Sequence, residues 1–367
     1  MTRLMRHRIR NIQPYQYKEA LEEMYAEWKE FDAICNSEFL PAFEDTDNTD
    51  ENEGNKDTTD ITSQTRSKVD ENKKNNANTN KSFQEKLKAM GKAIADLVSK
   101  VVGWFSEKIG KLDMNDQEFL KRLDKAKSNN IQKARVTTYM YDVACIKKSV
   151  VTIDQEFQKV STALSEMFDK YDDARSMGEK ANDDEIMNKM DISSTALKEI
   201  LDASNLDIQA DYYKKLLGKC GATVNDNDAV ADATAFMEKW EGQARGPKYE
   251  AEDNNENTGL QLQSPKGKEW VTSCENFLRG GLEDTIKTLK QGITHIQNSQ
   301  KNTSALISSA IRGEVHTQKS NERMQKILNS YDKYLSFAAM FYKTAYKITI
   351  EARENFKLVL QKAYNFT

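Results

Sequence analysis

Apolar residues recur at alternating steps of four and three positions along two long stretches of the chain, 82–112 and 318–366. Such spacing places them on one side of an α-helix, with charged residues on the other side. A repeat that averages 3.5 residues predicts left-handed supercoiled packing of long helices against other helices. The apolar positions that we expect to pack against a partner helix, called the seam below, are Leu87, Met90, Ile94, Leu97, Val101, Trp104, Phe105, Tyr331, Tyr334, Phe341 and Ile348.

The same periodicity predicts shorter helices before and between these two stretches. A run of β-branched and aromatic residues near 134–143 is the one candidate for a strand. The sequence offers no convincing partner for it, so we expect at most one short strand there. The further helices are predicted at 15–35, 116–127, 147–175, 183–204, 207–218, 227–241 and 268–300.

Residues 42–81 have a different composition, rich in Asn, Asp, Thr and Lys. Between Glu44 and Asp60, eight acidic residues stand against the single cation of Lys56. Too few apolar side chains are present to offset the conformational entropy that ordering this segment would remove. We therefore predict a long disordered acidic tether.

The small number of turn-forming residues restricts the fold class. Four Pro and 15 Gly among 367 residues are too few for a turn-rich β-sandwich or barrel. We expect an all-α fold, an elongated helical bundle with long heptad-like helices. Its predicted parts are an N-terminal helical arm (1–41), the tether (42–81), a first part of the helical body (82–241), a polar loop (242–265) and the long C-terminal helices (266–367).

Residues suited to catalysis or metal binding are few, and none of them forms a motif. The four cysteines are scattered without a Cys-x-x-Cys pair, which fits isolated thiols in a reducing compartment better than a zinc site. The chain has three histidines and no nucleotide-binding or hydrolase motif. We therefore predict a non-enzymatic protein with no catalytic, cofactor-binding or metal-binding residues and no cofactor.

Two basic features keep other partners open. The net charge of -4 excludes a globally basic nucleic-acid binder, but Arg3, Arg6, Arg8 and Arg10 can contact a polyanion. The favoured interpretation of this cluster is a basic arm in solution or against the acidic tether. The Lys-rich helix at 82–112 can lie on a membrane or meet an acidic or nucleic-acid partner, although packing within the bundle is favoured.

Membrane insertion and export have little support in the sequence. The Arg-rich N-terminus is not followed by an apolar segment, and no stretch approaches 18 uncharged apolar residues. We expect neither a signal peptide nor a transmembrane span.

One combination of segments resembles a known class of proteins. A Lys-rich helix carries Trp-Phe within 102–109, a Phe-Leu helix follows at 115–122, an extended Val/Thr/Tyr run spans 136–141, and a Tyr- and Ala-rich helix covers 331–364. This pattern is similar to helical virion structural proteins of large tailed bacteriophages of Gram-positive hosts, internal or head-associated in the capsid. The resemblance implies a virion component made in the host cytoplasm, with other capsid or core proteins, or further copies of itself, as partners.

Two alternative functions remain open at this point. Long amphipathic helices are also typical of membrane-active proteins of the α-helical pore-forming-toxin type. A charged, Pro-poor helical chain also fits an internal scaffold or core protein that is processed during maturation, and cleavage within the tether would then be expected.

Overall fold

A computed structural model of the chain describes residues 64–111, 116–176, 206–224, 230–249, 259–311 and 318–366. The chain divides into a first unit of residues 1–70 and a second unit of residues 71–367. Of the first unit the structure describes only the start of a helix. The predicted arm of residues 1–41, residues 42–63 of the predicted tether and the predicted helix at 183–204 lie outside the described residues.

Helices form most of the described part of the second unit, which confirms the predicted all-α fold. Five of the six shorter or C-terminal helices predicted within the described ranges are present with ends shifted by a few residues. The sixth, predicted at 268–300, is divided by a π-helical turn and extends to Ile311. In chain order the helices are α1 (Gln64–Lys111), α2 (Gln117–Ala126), α3 (Val143–Ser176), α4 (Leu206–Lys219), α5 (Ala233–Arg245), α6 (Pro265–Asn276), α7 (Leu282–Ile311) and α8 (Gln318–Tyr364).

Helix α8 is the centre of the fold. It packs against α3, α6 and α7, and also contacts α2 and α5. Between Met324 and Tyr364 nearly all of its apolar side chains are buried, on several sides of the helix. Ala338, Ala345 and Ala352 recur along the helix and let neighbouring side chains approach its backbone closely. A helix with apolar side chains all round is stable only inside a protein, and here the neighbouring helices cover it.

Helix α1 is longer than the sequence predicts. It begins at Gln64, inside the segment predicted as the tether. These residues contain neither Gly nor Pro. Once the buried apolar side of 83–109 has nucleated a helix, each added residue gains a backbone hydrogen bond without meeting a helix breaker.

Four two-residue strands replace the single strand that the sequence predicts. Strand β1 (Arg135–Val136) pairs antiparallel with β4 (Leu260–Gln261), and β2 (Thr138–Tyr139) pairs antiparallel with β3 (Lys248–Tyr249). The partners lie in the predicted polar loop of 242–265, whose first residues belong to α5. Strands this short have no alternation of apolar and polar residues that a sequence could reveal.

Glycine is required where these short ribbons are packed tightly. Gly246 and Gly259 have φ angles of 64° and 90°, in the left-handed region that other residues rarely adopt. A Cβ on Gly259 would lie 2.9 Å from the carbonyl oxygen of Val136, inside van der Waals contact. Because glycine has no side chain, the chain at these two positions passes close to the backbone of the segment that precedes α3.

A π-helical turn, Phe277–Gly281, separates α6 from α7. It contains the pair Gly280 and Gly281, and a Cβ on Gly281 would lie 3.1 Å from the ring of Phe277. Arg279 in this turn donates to Glu275, with Nε 2.7 Å from Oε1, and forms an ion pair with Asp124 next to the end of α2. An ion pair therefore connects this turn to α2.

None of the helices within the described ranges is both long enough and apolar enough to cross a membrane.

Candidate functional site

The seam residues are buried, and they are buried inside this chain. Ten of the eleven have at most 3% of their surface exposed. Their neighbours are other elements of the same body: the ring of Tyr334 stacks on Phe157 of α3 at 6.4 Å, and Phe341 packs on Trp240 of α5 at 4.5 Å. The eleventh, Trp104, is half-buried. Packing of the seam on a separate partner stays a prediction.

Trp104 packs on aromatic rings of its own chain. Its ring lies 4.9 Å from that of Phe105 and 5.8 Å from that of Tyr346 in α8, both edge to face. The hydroxyl of Tyr346 in turn lies 3.4 Å from the backbone carbonyl of Lys108. The apolar side of α1 is therefore docked on α8 at this end, where the sequence left open a membrane contact.

The surface of the described residues is almost free of large apolar side chains. Among the residues whose exposure the structure describes, Val151 is the one exposed large hydrophobic residue, at 39%. The exposed side of α1 carries Lys86, Lys88 and Lys92 among its charged residues. Any contact that these residues make with a partner therefore begins with polar and charged groups. The arginine cluster at residues 3–10 lies outside the described residues, and its role stays a prediction.

The arrangement closest to catalytic chemistry joins α3, α7 and α8. His295 Nδ1 lies 2.8 and 3.0 Å from the two carboxylate oxygens of Asp154. Gln158 donates to the same carboxylate at 2.9 Å, and the hydroxyl of Tyr342 donates to it at 3.4 Å. Because a carboxylate only accepts, Nδ1 of the imidazole donates the hydrogen bond to Asp154. His295 is 39% exposed, whereas Tyr342 is fully buried.

An imidazole oriented by a carboxylate is half of the machinery of many hydrolases. No group of three potential metal-ligating side chains exists among the residues that the structure describes. Burial and the Asp154 charge raise the pKa of Tyr342 well above its usual value, so Tyr342 stays a hydrogen-bond donor. The cluster therefore works as a polar lock between three helices.

Close packing supports this lock. Gly292 lies one turn before His295 on α7 and faces the ring of Tyr342. A Cβ at this position would be 2.6 Å from Cζ of the ring, which leaves no room for a side chain. The sequence shows His295 only as an isolated histidine, because its partners are 141 and 47 positions away. No sequence periodicity reports such a meeting.

A buried ion cluster fixes α2 to α8. Arg353 donates to both carboxylate oxygens of Asp116, from Nε at 3.1 Å and from Nη2 at 2.8 Å. Lys357 approaches the same carboxylate at 2.6 Å. Asp116 and Arg353 are both buried. A bidentate pair of this kind has a fixed geometry, so it sets the register between the two helices.

A second interior cluster fixes α5 to α8. Arg245 donates from Nη2 to Glu351 at 3.0 Å and pairs with Glu241 on its own helix at 2.5 Å. Glu351 is buried. Nearby, burial lowers the pKa of Lys347 below its usual value, against the opposing effect of Glu351 and Glu241. On this side of α8 the cationic Lys347 is thus followed one turn later by the anionic Glu351.

One buried carboxyl has no such partner. Asp332 of α8 is 8% exposed, and its Oδ1 is buried without a hydrogen-bond partner. Burial raises the pKa of Asp332 to about 7, and the neighbouring charge of Lys333 lowers it only in part. The residue before it, Tyr331, belongs instead to a satisfied hydroxyl chain through Ser299 to Ser161, with both O–O distances at 2.5 Å.

Comparison of the chain with protein-family models, with curated proteins and with solved structures gave no match.

Proposed function

We propose that this chain is a non-enzymatic structural protein whose helical body serves as one rigid unit of an assembly. The observation that carries the proposal is that the large apolar side chains and the ion clusters are buried between helices of the same chain. The seam, the aromatic side chains and the buried ion clusters are all used to hold α8 among its own neighbours. A body whose interior is closely packed and whose surface is charged is suited to act as a rigid part that contacts its partners through polar groups.

The finer proposal is a bacteriophage virion component, internal or head-associated. It is supported by the resemblance of the segments at 102–109, 115–122, 136–141 and 331–364 to helical virion proteins. In this proposal the partner is another capsid or core protein, and the contact is charged. The exposed Lys88 and Lys92 of α1 are the first candidates for it, since they lie four residues apart on one side of a long helix and favour an acidic partner surface.

Quantitative mass spectrometry of gradient-purified particles from the phage that encodes the chain tests this proposal. A fixed number of copies per particle, co-purifying through the gradient, is the expected result. Absence of the chain from mature particles, with abundance in infected cells, would contradict the virion role. Loss of only the peptides before α1 would instead indicate cleavage in the predicted tether.

A charge-reversal pair tests the docking side of α1. Lys88→Glu with Lys92→Glu should reduce incorporation into particles several-fold without changing the helix content of the free protein, because both side chains are exposed. The matched control is Lys121→Glu with Lys125→Glu on the exposed side of α2, which should be incorporated normally. Equal incorporation of both variants would contradict docking through α1.

A further inference from the structure

Two cysteines meet where the end of α4 reaches the first turn of α3. Cys145 lies in that first turn, and Cys220 directly follows α4. The Sγ atom of Cys145 is 3.7 Å from the backbone carbonyl oxygen of Cys220. Both thiols are buried, Cys220 completely and Cys145 with 8% of its surface exposed. The sequence gives no hint of this pairing, because 75 positions separate the two residues.

Ser149 lies between the two cysteines. Its Oγ is 3.8 Å from Sγ of Cys145 and 3.1 Å from the carbonyl oxygen of Cys220, and it accepts a hydrogen bond from Nε1 of Trp240 at 2.8 Å. The hydroxyl has one hydrogen, which it gives either to the carbonyl of Cys220 or to that of Cys145 at 2.7 Å. The site is thus built from α3, α4 and α5.

The two cysteines lie close together at this junction. A carbonyl oxygen lies about 2.4 Å from its own Cα. The Cα of Cys220 is therefore within about 6 Å of Sγ of Cys145. Both thiols also lie within hydrogen-bonding reach of the Ser149 hydroxyl. A disulfide needs Cα atoms roughly 4.4–6.8 Å apart, so closing the bond requires the end of α4 to turn the side chain of Cys220 towards Cys145.

The end of α4 can make that adjustment. Gly221 has a φ of 88°, its N–H donates to the carbonyl of Gly218, and the N–H of Ala222 donates to that of Leu217 at 3.2 Å. This is a Schellman cap, in which the helix ends at Cys220 and the chain turns through a glycine. The Cβ of Cys220 is thus attached at the very end of its helix, next to a glycine about which the chain can turn.

We propose that Cys145 and Cys220 form an intramolecular disulfide when the chain meets a hydroperoxide, which makes this junction a site of oxidative modification that staples α3 to α4. The Cys145 thiol, the more exposed of the two, loses its proton and the thiolate attacks the terminal peroxide oxygen; the O–O bond breaks and a sulfenic acid forms. The leaving alkoxide or hydroxide takes up the proton that the thiol released and departs as an alcohol or water. The thiol of Cys220 then attacks that sulfur. The S–S bond forms, the S–O bond breaks, and water leaves with the thiol proton.

Burial sets the conditions for this reaction. It raises the pKa of both thiols, that of Cys220 to about 12. Because the thiolate is the reactive form, the staple closes slowly at neutral pH and faster as the pH rises. The third described cysteine, Cys274, is also deeply buried, in α6, with its pKa raised well above the usual value. It serves as the matched control.

Thiol counting on the full chain tests the proposal. The protein is treated with hydrogen peroxide, denatured and alkylated, and its peptides are then mapped without reduction. Alkylation should fall from the four thiols of the sequence to two, with one cross-linked peptide pair containing Cys145 and Cys220. Reduction should restore all four thiols.

The variants show which thiols react. Cys145→Ser and Cys220→Ser should each abolish the cross-link, whereas Cys274→Ser should form it at the rate of the unchanged chain. If a serine variant fails to fold, the peptide map of the unchanged chain still decides. The proposal is overturned if both cysteines remain alkylatable after peroxide treatment, if they are oxidised separately to sulfinic acids, or if the cross-link joins other cysteines.

Discussion

Replacement of Asp332 by Asn tests how the interior around α8 is held together. The carboxyl of Asp332 is buried, its Oδ1 has no hydrogen-bond partner, and burial raises its pKa from the ordinary 3.8 to about 7. Asn has nearly the same shape but no charge. The substitution therefore removes the charge and leaves the packing of the neighbouring turns of α8 in place.

The size and sign of the effect follow from the two pKa values of Asp332. One unit corresponds to about 1.4 kcal/mol, so a shift of about three units corresponds to about 4 kcal/mol. The folded state binds the proton more tightly than the unfolded chain. The stability contributed by this group is therefore fully present below about pH 4 and is lost as the pH rises to about 7. Asn does not titrate, but its buried amide hydrogens cost about 1–2 kcal/mol if they lack acceptors.

We expect Asp332→Asn to be more stable than the unchanged chain by about 2 kcal/mol at pH 8, and equally stable or less stable at pH 5. Urea unfolding followed by far-ultraviolet circular dichroism at both pH values measures the difference. Asp211→Asn, at an exposed position of α4, is the control and should change stability little. A stability difference for Asp332→Asn that does not change with pH would refute the reasoning.

Two further substitutions test close packing and the buried charges. Gly292→Ala should destabilise the protein by about 1–3 kcal/mol, because the new Cβ overlaps the ring of Tyr342. Gly103→Ala, with open space around it, should stabilise the protein by about 0.4–1 kcal/mol. Thermal unfolding of the two variants measures both effects, and equal effects would contradict the described contact. Arg353→Met should cost about 1–3 kcal/mol, because the buried carboxylate of Asp116 loses its bidentate partner and keeps only Lys357. Adding Asp116→Asn to that variant should recover much of the loss in urea unfolding, and no recovery would contradict the buried pair.

The sequence predicts the long helices well, for a physical reason. The stripe from Met324 to Ala352 keeps one spacing for eight steps, which few structures other than a helix can satisfy. The structure adds that α8 is covered on several sides. Aromatic residues between the seam positions, such as Phe337 and Tyr342, are also buried, although a single-stripe interpretation leaves them on the outside.

The features that the sequence does not predict depend on distance along the chain or on very short elements. The buried pair of Asp116 and Arg353 joins residues 237 positions apart, and charged residues give no periodic signal of burial. The strands at Lys248–Tyr249 and Leu260–Gln261 are stabilised by their pairing and not by an alternating pattern. The start of α1 at Gln64 was missed because polar residues can extend a helix that apolar residues have nucleated.

The most direct test of the account is hydrogen–deuterium exchange along α8. If α8 is the covered centre of the body, its amides between Ile327 and Leu360 should exchange only on global unfolding. They should then be the slowest of the chain, far slower than those of the largely exposed helix α2. Exchange in α8 as fast as in α2 would contradict the central claim that the seam is packed inside this chain.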